Sequence, residues 1–122
     1  MGQHRTLRKT AALGFLAGAL ALGPGLRPAA ADTLAEGQAL AARRQCLGCH
    51  QVEARRVGPP FRAIADRFQG RQDAAPYLAR VMRQGSSGQW GAIPMPAQTR
   101  LPEADAMRLA QWILSLSGPG AD

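Results

Sequence analysis

The amino-acid sequence predicts an all-α fold, about four short helices wrapped around one covalently bound group. Three observations carry that expectation. Apolar residues recur at helical spacing in separate stretches divided by glycine and proline. Past the first 31 residues the chain has few aromatic side chains, Phe61, Phe68, Tyr77, Trp90 and Trp112, which is a thin core for so short a domain. Between the first two helical stretches stands Cys46-Leu47-Gly48-Cys49-His50, two thiols and an imidazole within one helical turn.

Two cysteines separated by two residues, with histidine directly after the second, form the attachment sequence of a c-type haem. The thiols add across the two vinyl groups of the porphyrin, and the two-residue gap lets one turn bring both sulfurs to one edge of the ring. His50 then sits under the iron and can ligate it axially. Such a motif also arises by chance, and two other chemistries use these residues: a redox dithiol in a thioredoxin-like βαβ unit and a zinc site. No βαβ pattern surrounds the motif. Beyond residue 31, His50 is the only histidine and Cys46 and Cys49 are the only cysteines, so zinc would lack a fourth strong ligand.

Residues 1–31 are expected to be a cleaved secretory signal peptide, leaving 32–122 as one domain. Arg5, Arg8 and Lys9 give a positive start, and residues 11–22 are an apolar run shorter than the roughly 20 residues a membrane span needs. Gly23-Pro24-Gly25 breaks the run, and Ala29-Ala30-Ala31 offers the small residues of a cleavage site. The alternative is an uncleaved anchor helix. Four of the 15 basic residues lie in this leader and none of the 8 acidic ones, so the net charge of the remainder falls from +7 to about +3. No basic block interleaved with aromatics remains, which argues against nucleic-acid binding. Every cation after residue 31 is arginine.

The first helix is expected over 33–45, opened by a Thr33-x-x-Glu36 capping box, with Gly37, Leu40 and Ala41 forming a small-residue face. Residues 51–56 read as a polar connector and 57–60 as extended, because positions before proline are pushed from helical angles. Phe61, Ile64, Ala65 and Phe68 follow at i, i+3, i+4 and i+7, giving a second helix stopped by Gly70. Asp73 caps a third, with Leu78, Val81 and Met82 as its buried stripe and Gly85 as its stop. The last runs over 102–117, with Pro102 at its first position, Glu103 and Asp105 suited to the helix dipole, and Leu109, Trp112, Ile113 and Leu116 as its apolar face. Trp112 is expected to face Gly37 and Ala41.

Residues 85–101 read as a loop, long enough to imply a function. At its centre Met95 stands between Pro94 and Pro96, where no helix can form. A thioether in a rigid loop suits a second axial ligand, since sulfur opposite histidine favours ferrous iron. The competing methionines, Met82 and Met107, fall in helical patterns. His50 and Met95 are therefore the expected metal ligands.

The chain after the leader resembles a class I cytochrome c, most like the short bacterial cytochrome c-551/c-552 group. The residues that carry the resemblance are Gly37 and Leu40, Cys46-x-x-Cys49-His50, Val57-Gly58-Pro59, Trp90-Gly91, Ile93-Pro94-Met95-Pro96 and the final helix with Trp112. It implies the small cytochrome c fold and one haem c, covalent through Cys46 and Cys49 with His50 and Met95 on the iron. It further implies that the Pro59 carbonyl accepts a hydrogen bond from the other imidazole nitrogen of His50, and that Trp90 donates its indole N–H to a haem propionate; the other reading of Trp90 is an aromatic packed on the haem edge. Four departures stand out. Ala41 replaces a frequent phenylalanine, which implies a looser contact between the terminal helices. Gln45 replaces a frequent glycine, Leu101 occupies the expected N-cap of the last helix, and arginines replace the lysines of the docking face.

The resemblance implies an electron carrier of the bacterial periplasm, not an enzyme. Its partners are other redox proteins met in transient encounters. Nucleic acid and stable membrane insertion after cleavage are not expected, and the protein is a monomer or a subunit of a redox complex. The alternative within the same chemistry is a dedicated electron-accepting subunit of a periplasmic dehydrogenase or oxidase. Outside it stand an enzyme or gas sensor with a weakly held Met95, and a zinc module. Intact mass of the secreted protein checks the leader and the motif together: the expected chain starts near Asp32 and carries the added mass of one haem.

Overall fold

The computed structural model describes residues 29–118. Four α-helices and one 3₁₀ turn account for its regular structure: α1, Ala29–Arg43; the turn, Cys46–Gly48; α2, Phe61–Phe68; α3, Ala74–Gln84; and α4, Glu103–Ser115. Among the described residues the extended pairing is one isolated antiparallel bridge, Ser86 with Met95. The expected all-α architecture is therefore present. The expected leader lies outside the described residues except for positions 29–31, which continue α1.

α4 is the hub, packing most extensively against α3 and also against α1 and α2. Ala106, Leu109, Ala110, Trp112 and Ile113 are all buried on it, the face the periodicity predicted with two alanines added. On α2 the predicted set, Phe61, Ile64, Ala65 and Phe68, is buried in full. On α3 the stripe is Ala74, Leu78, Ala79 and Met82, while Val81 is half-buried.

Several ends differ from the expectation. α1 does not start at a Thr33 capping box; Ala29, Ala30 and Ala31 are strong helix formers, so the helix runs through Thr33 and ends at Arg43. Gln45 then takes a left-handed conformation, φ 61°, which explains why glycine suits this position and costs a side-chain-bearing residue about 1 kcal/mol. Asp73 does sit at the N-cap of α3, yet its carboxylate makes no cap bond. Arg71 takes it instead, with Nε 2.5 Å from Oδ1 and Nη2 2.9 Å from Oδ2. Pro102, not Leu101, is the N-cap of α4, and Leu101 one place earlier is buried in the core.

The contact between the terminal helices is tight, against the expectation from Ala41. A Cβ added at Gly37 would fall 2.0 Å from Cγ of Trp112, and Ala41 is fully buried. An ion pair from Arg44 to Asp105 ties the end of α1 to the first turn of α4. Gly37→Ala sets a helix-propensity gain of about 1 kcal/mol against overpacking of about 1–3 kcal/mol or more. With a buried indole that close, overpacking wins. The expected outcome is a thermal unfolding midpoint several degrees below that of the parent, measured by far-ultraviolet circular dichroism.

Candidate functional site

The 3₁₀ turn delivers Cys46, Cys49 and His50 to one side of a cleft. The amides of Cys49 and His50 both bond the Cys46 carbonyl, at 3.1 and 2.9 Å, which folds the motif onto itself as its spacing required. Before attachment, burial pushes the free Cys46 thiol up from its ordinary pKa. The chain then loops back: the amides of Val57 and Gly58 bond the Cys49 carbonyl, at 3.2 and 2.8 Å.

That return fixes the imidazole. His50 is the one buried polar or charged residue among those described, 7% exposed, and its Nδ1 lies 2.8 Å from the Pro59 carbonyl. A carbonyl only accepts, so Nδ1 carries a proton, and in the neutral imidazole Nε2 then keeps its lone pair. The ring of Phe61 stacks on the imidazole, centroids 5.1 Å apart and 20° from parallel, and meets Trp112 edge-on at 5.1 Å. Gly58 allows the closeness, since a Cβ there would fall 2.5 Å from Cε1 of His50. Behind this loop Arg62 forks onto Glu53, at 2.7 and 2.6 Å, and reaches the Leu116 carbonyl at 2.5 Å. Those bonds from Arg62 hold the Glu53 carboxyl below the usual carboxylate range. The pair's stabilisation is thus present above the ordinary carboxylate pKa and lost on acidification.

Met95 comes to the same cleft on the loop after α3. Its amide and carbonyl pair with those of Ser86, at 2.8 and 3.0 Å, so the segment read as structureless is closed at its base. Gly85, φ 78°, permits this: a Cβ there would lie 2.8 Å from the Met95 carbonyl. Trp90 also lines the cleft, with the Arg67 guanidinium 4.6 Å from its ring centre. Met82 lines it too, buried on α3, whereas Met107 is not among the lining residues. Position on the cleft therefore separates Met95 from Met107, and a place on a loop instead of a buried helix stripe separates it from Met82.

The cleft holds about 1180 Å³ of atom-free space, counting the solvent at its mouth. Apolar side chains dominate its walls, and no acidic residue lines it. Two thiols at one edge, one imidazole and one thioether are the donors of a c-type haem site. Among the described residues no three His, Cys, Asp or Glu side chains come together to hold a metal ion, which leaves the zinc reading without a donor set.

Residues 34–117 match the family model described as cytochrome c. The chain belongs to the cytochrome c family. It is 45% identical over 108 residues to cytochrome c-552 of Nitrosomonas europaea, covering 88% of this chain and 98% of that protein. Cytochrome c-551 of Stutzerimonas stutzeri is 40% identical, with 83% of this chain and 89% of that protein covered. The crystal structure of the wild-type Nitrosomonas europaea cytochrome c552 superposes with a TM-score of 0.64 at 48% identity, over 65% of this chain and 98% of that one. Within the family the chain is a class I cytochrome c of the c-551/c-552 kind, a haem c protein that carries electrons and is not an enzyme.

The sequence places Phe61 on the apolar face of α2 and Gly58 in the Val57-Gly58-Pro59 stretch, but assigns neither a role beside His50. The signal was present for Gly58, the one residue without a side chain beside the two prolines, but the need for it appears only once the imidazole is in place. Gly58→Ala is expected to displace His50 at a cost of about 1–3 kcal/mol. Denaturant unfolding of the purified protein, together with the fraction of it that carries haem, checks this; both fall.

Proposed function

We propose that this cytochrome carries single electrons between redox proteins of the periplasm, with His50 and Met95 as the axial ligands of one haem joined through Cys46 and Cys49. The observation that carries the ligand assignment is the bond from His50 Nδ1 to the Pro59 carbonyl, which leaves Nε2 as the only basic nitrogen of a histidine in an apolar cleft. Pro59 orients the imidazole and raises its basicity. Met95 faces the same space from a loop whose base is fixed by the Ser86 pair. Trp90, which lines the cleft, would donate its indole N–H to a haem propionate.

When bound, the haem supplies a one-electron couple, and two filled axial positions leave the iron no open site for substrate chemistry. The residues around it exclude water and hold both ligands in place, so little need rearrange as the charge changes. Val57, 44% exposed, and Ile93, 66% exposed, flank the cleft and give partners an apolar contact. A contact of that size suits brief redox encounters. Secretion with loss of residues 1–31 accounts for the leader composition, and no helix among the described residues is long and apolar enough to cross a membrane.

Met95→Ala is the deciding experiment. The ferric protein is expected to lose the weak near-infrared sulfur-to-iron band, and the midpoint potential is expected to fall, because the ligand that favours ferrous iron is gone. Met82→Ala and Met107→Ala are expected to keep the band. Loss of it in Met82→Ala with retention in Met95→Ala would overturn the assignment.

A further inference from the structure

The loop that carries Met95 is tied down at two places of different kind. At its base, Ser86 and Met95 bond one another, and the Gln98 amide bonds the Met82 carbonyl at 2.9 Å, which fastens the base to α3. At its tip, around Gln89 and Trp90, the ties come from elsewhere. Arg55 Nη2 donates to the Trp90 carbonyl at 2.8 Å, and Arg67 Nη1 donates to the Gln89 carbonyl at 2.7 Å. The Arg67 guanidinium also lies over the Trp90 ring. A third tie, to α3, is the Gln89 side-chain Nε2 donating to Tyr77 Oη at 2.8 Å.

The origin of the two arginines matters. Arg55 stands on the connector that leaves His50 and returns through Gly58 and Pro59. Arg67 stands on α2, whose first residue, Phe61, stacks on the imidazole. Both therefore belong to the histidine side of the cleft and grip the methionine side. Both are exposed, and both end on carbonyls that a neutral side chain would hold more weakly. Arg67 donates in its plane while stacking through its face, which an ammonium cannot do.

We propose that Arg55 and Arg67 form a clamp across the cleft mouth, and that they are positioning residues which hold the Met95 loop shut and so set how often the sixth position of the iron opens. This rests on the reading of Met95 as a ligand. The clamp acts on the equilibrium between closed and open loop, with the open form a minor population whose size sets the rate at which an external ligand enters.

Carbon monoxide binding to the reduced holoprotein is the test, with the near-infrared band of the ferric form followed on warming as a second readout. The Arg55→Ala/Arg67→Ala double variant is expected to bind carbon monoxide about tenfold faster than the parent, as a minor open state enlarged tenfold requires. Its band is expected to fade at a temperature where far-ultraviolet circular dichroism still reports intact helices. Each single variant is expected to fall between the parent and the double. Arg108→Ala removes the same charge as either single variant, on the far side of α4, and is expected to match the parent. If the double variant does not load haem, the two single variants carry the same comparison. Carbon monoxide rates equal to those of Arg108→Ala, with the band fading only as the helices unfold, would overturn the clamp. Met95→Ala separates that failure from failure of the ligand reading: it is expected to bind carbon monoxide fast and to lack the band at all temperatures. A Met95→Ala protein that keeps the band overturns both.

Discussion

A single hydrogen bond, from His50 to the carbonyl of Pro59, decides what the site can do. It places the proton on Nδ1 and leaves Nε2 as the basic nitrogen. Much of the surrounding structure exists to make that bond possible. The turn at Cys46–Gly48 ends where His50 must begin, the chain returns on the Cys49 carbonyl, and Gly58 removes the one side chain that would strike the ring. Phe61 covers the imidazole, Trp112 covers Phe61, and Gly37 lets α1 close over Trp112. One row of contacts thus runs from the first helix to the nitrogen that would meet the metal.

The parts of this arrangement that were legible in the sequence are those encoded by near neighbours. Cys46, Cys49 and His50 are adjacent in the chain, and the apolar positions of α2 and α4 repeat with the helical period. Met95 was legible because two prolines forbid it a helix. What was not legible depends on residues far apart. The pairing of Ser86 with Met95 leaves no periodic trace, and neither does the meeting of Arg55 with Trp90. Asp73 shows how a local rule loses to a competitor: the capping position is right, but Arg71 two residues earlier offers the carboxylate a charged fork. The Thr33 box is overridden while Ala29, Ala30 and Ala31 precede it, because these remain helical; a chain starting near Asp32 lacks them.

The exclusive use of arginine after the leader had no account from composition. The structure supplies one, because many of these side chains do what a point charge cannot. Arg62 and Arg71 hold carboxylates with two nitrogens each, and Arg62 also reaches a carbonyl at the end of α4. Arg67 lies over Trp90, and Arg71 and Arg80 lie over Tyr77. A planar guanidinium can pair through its edge and stack through its face in one place. With so few aromatic residues in the domain, laying a cation's flat face over Phe68, Tyr77 and Trp90 extends the packed surface where apolar side chains run out.

The approach of Gly37 to Trp112 joins nearly the first described turn of the chain to nearly the last. Such a pair closes a very long loop, and the entropy of that closure must be met before the contact returns anything. The turn that bears both cysteines closes through near neighbours alone: the amides of Cys49 and His50 on the Cys46 carbonyl do not depend on the meeting of the ends. A substitution at Gly37 therefore loads the seam between the two ends without altering the attachment sequence itself.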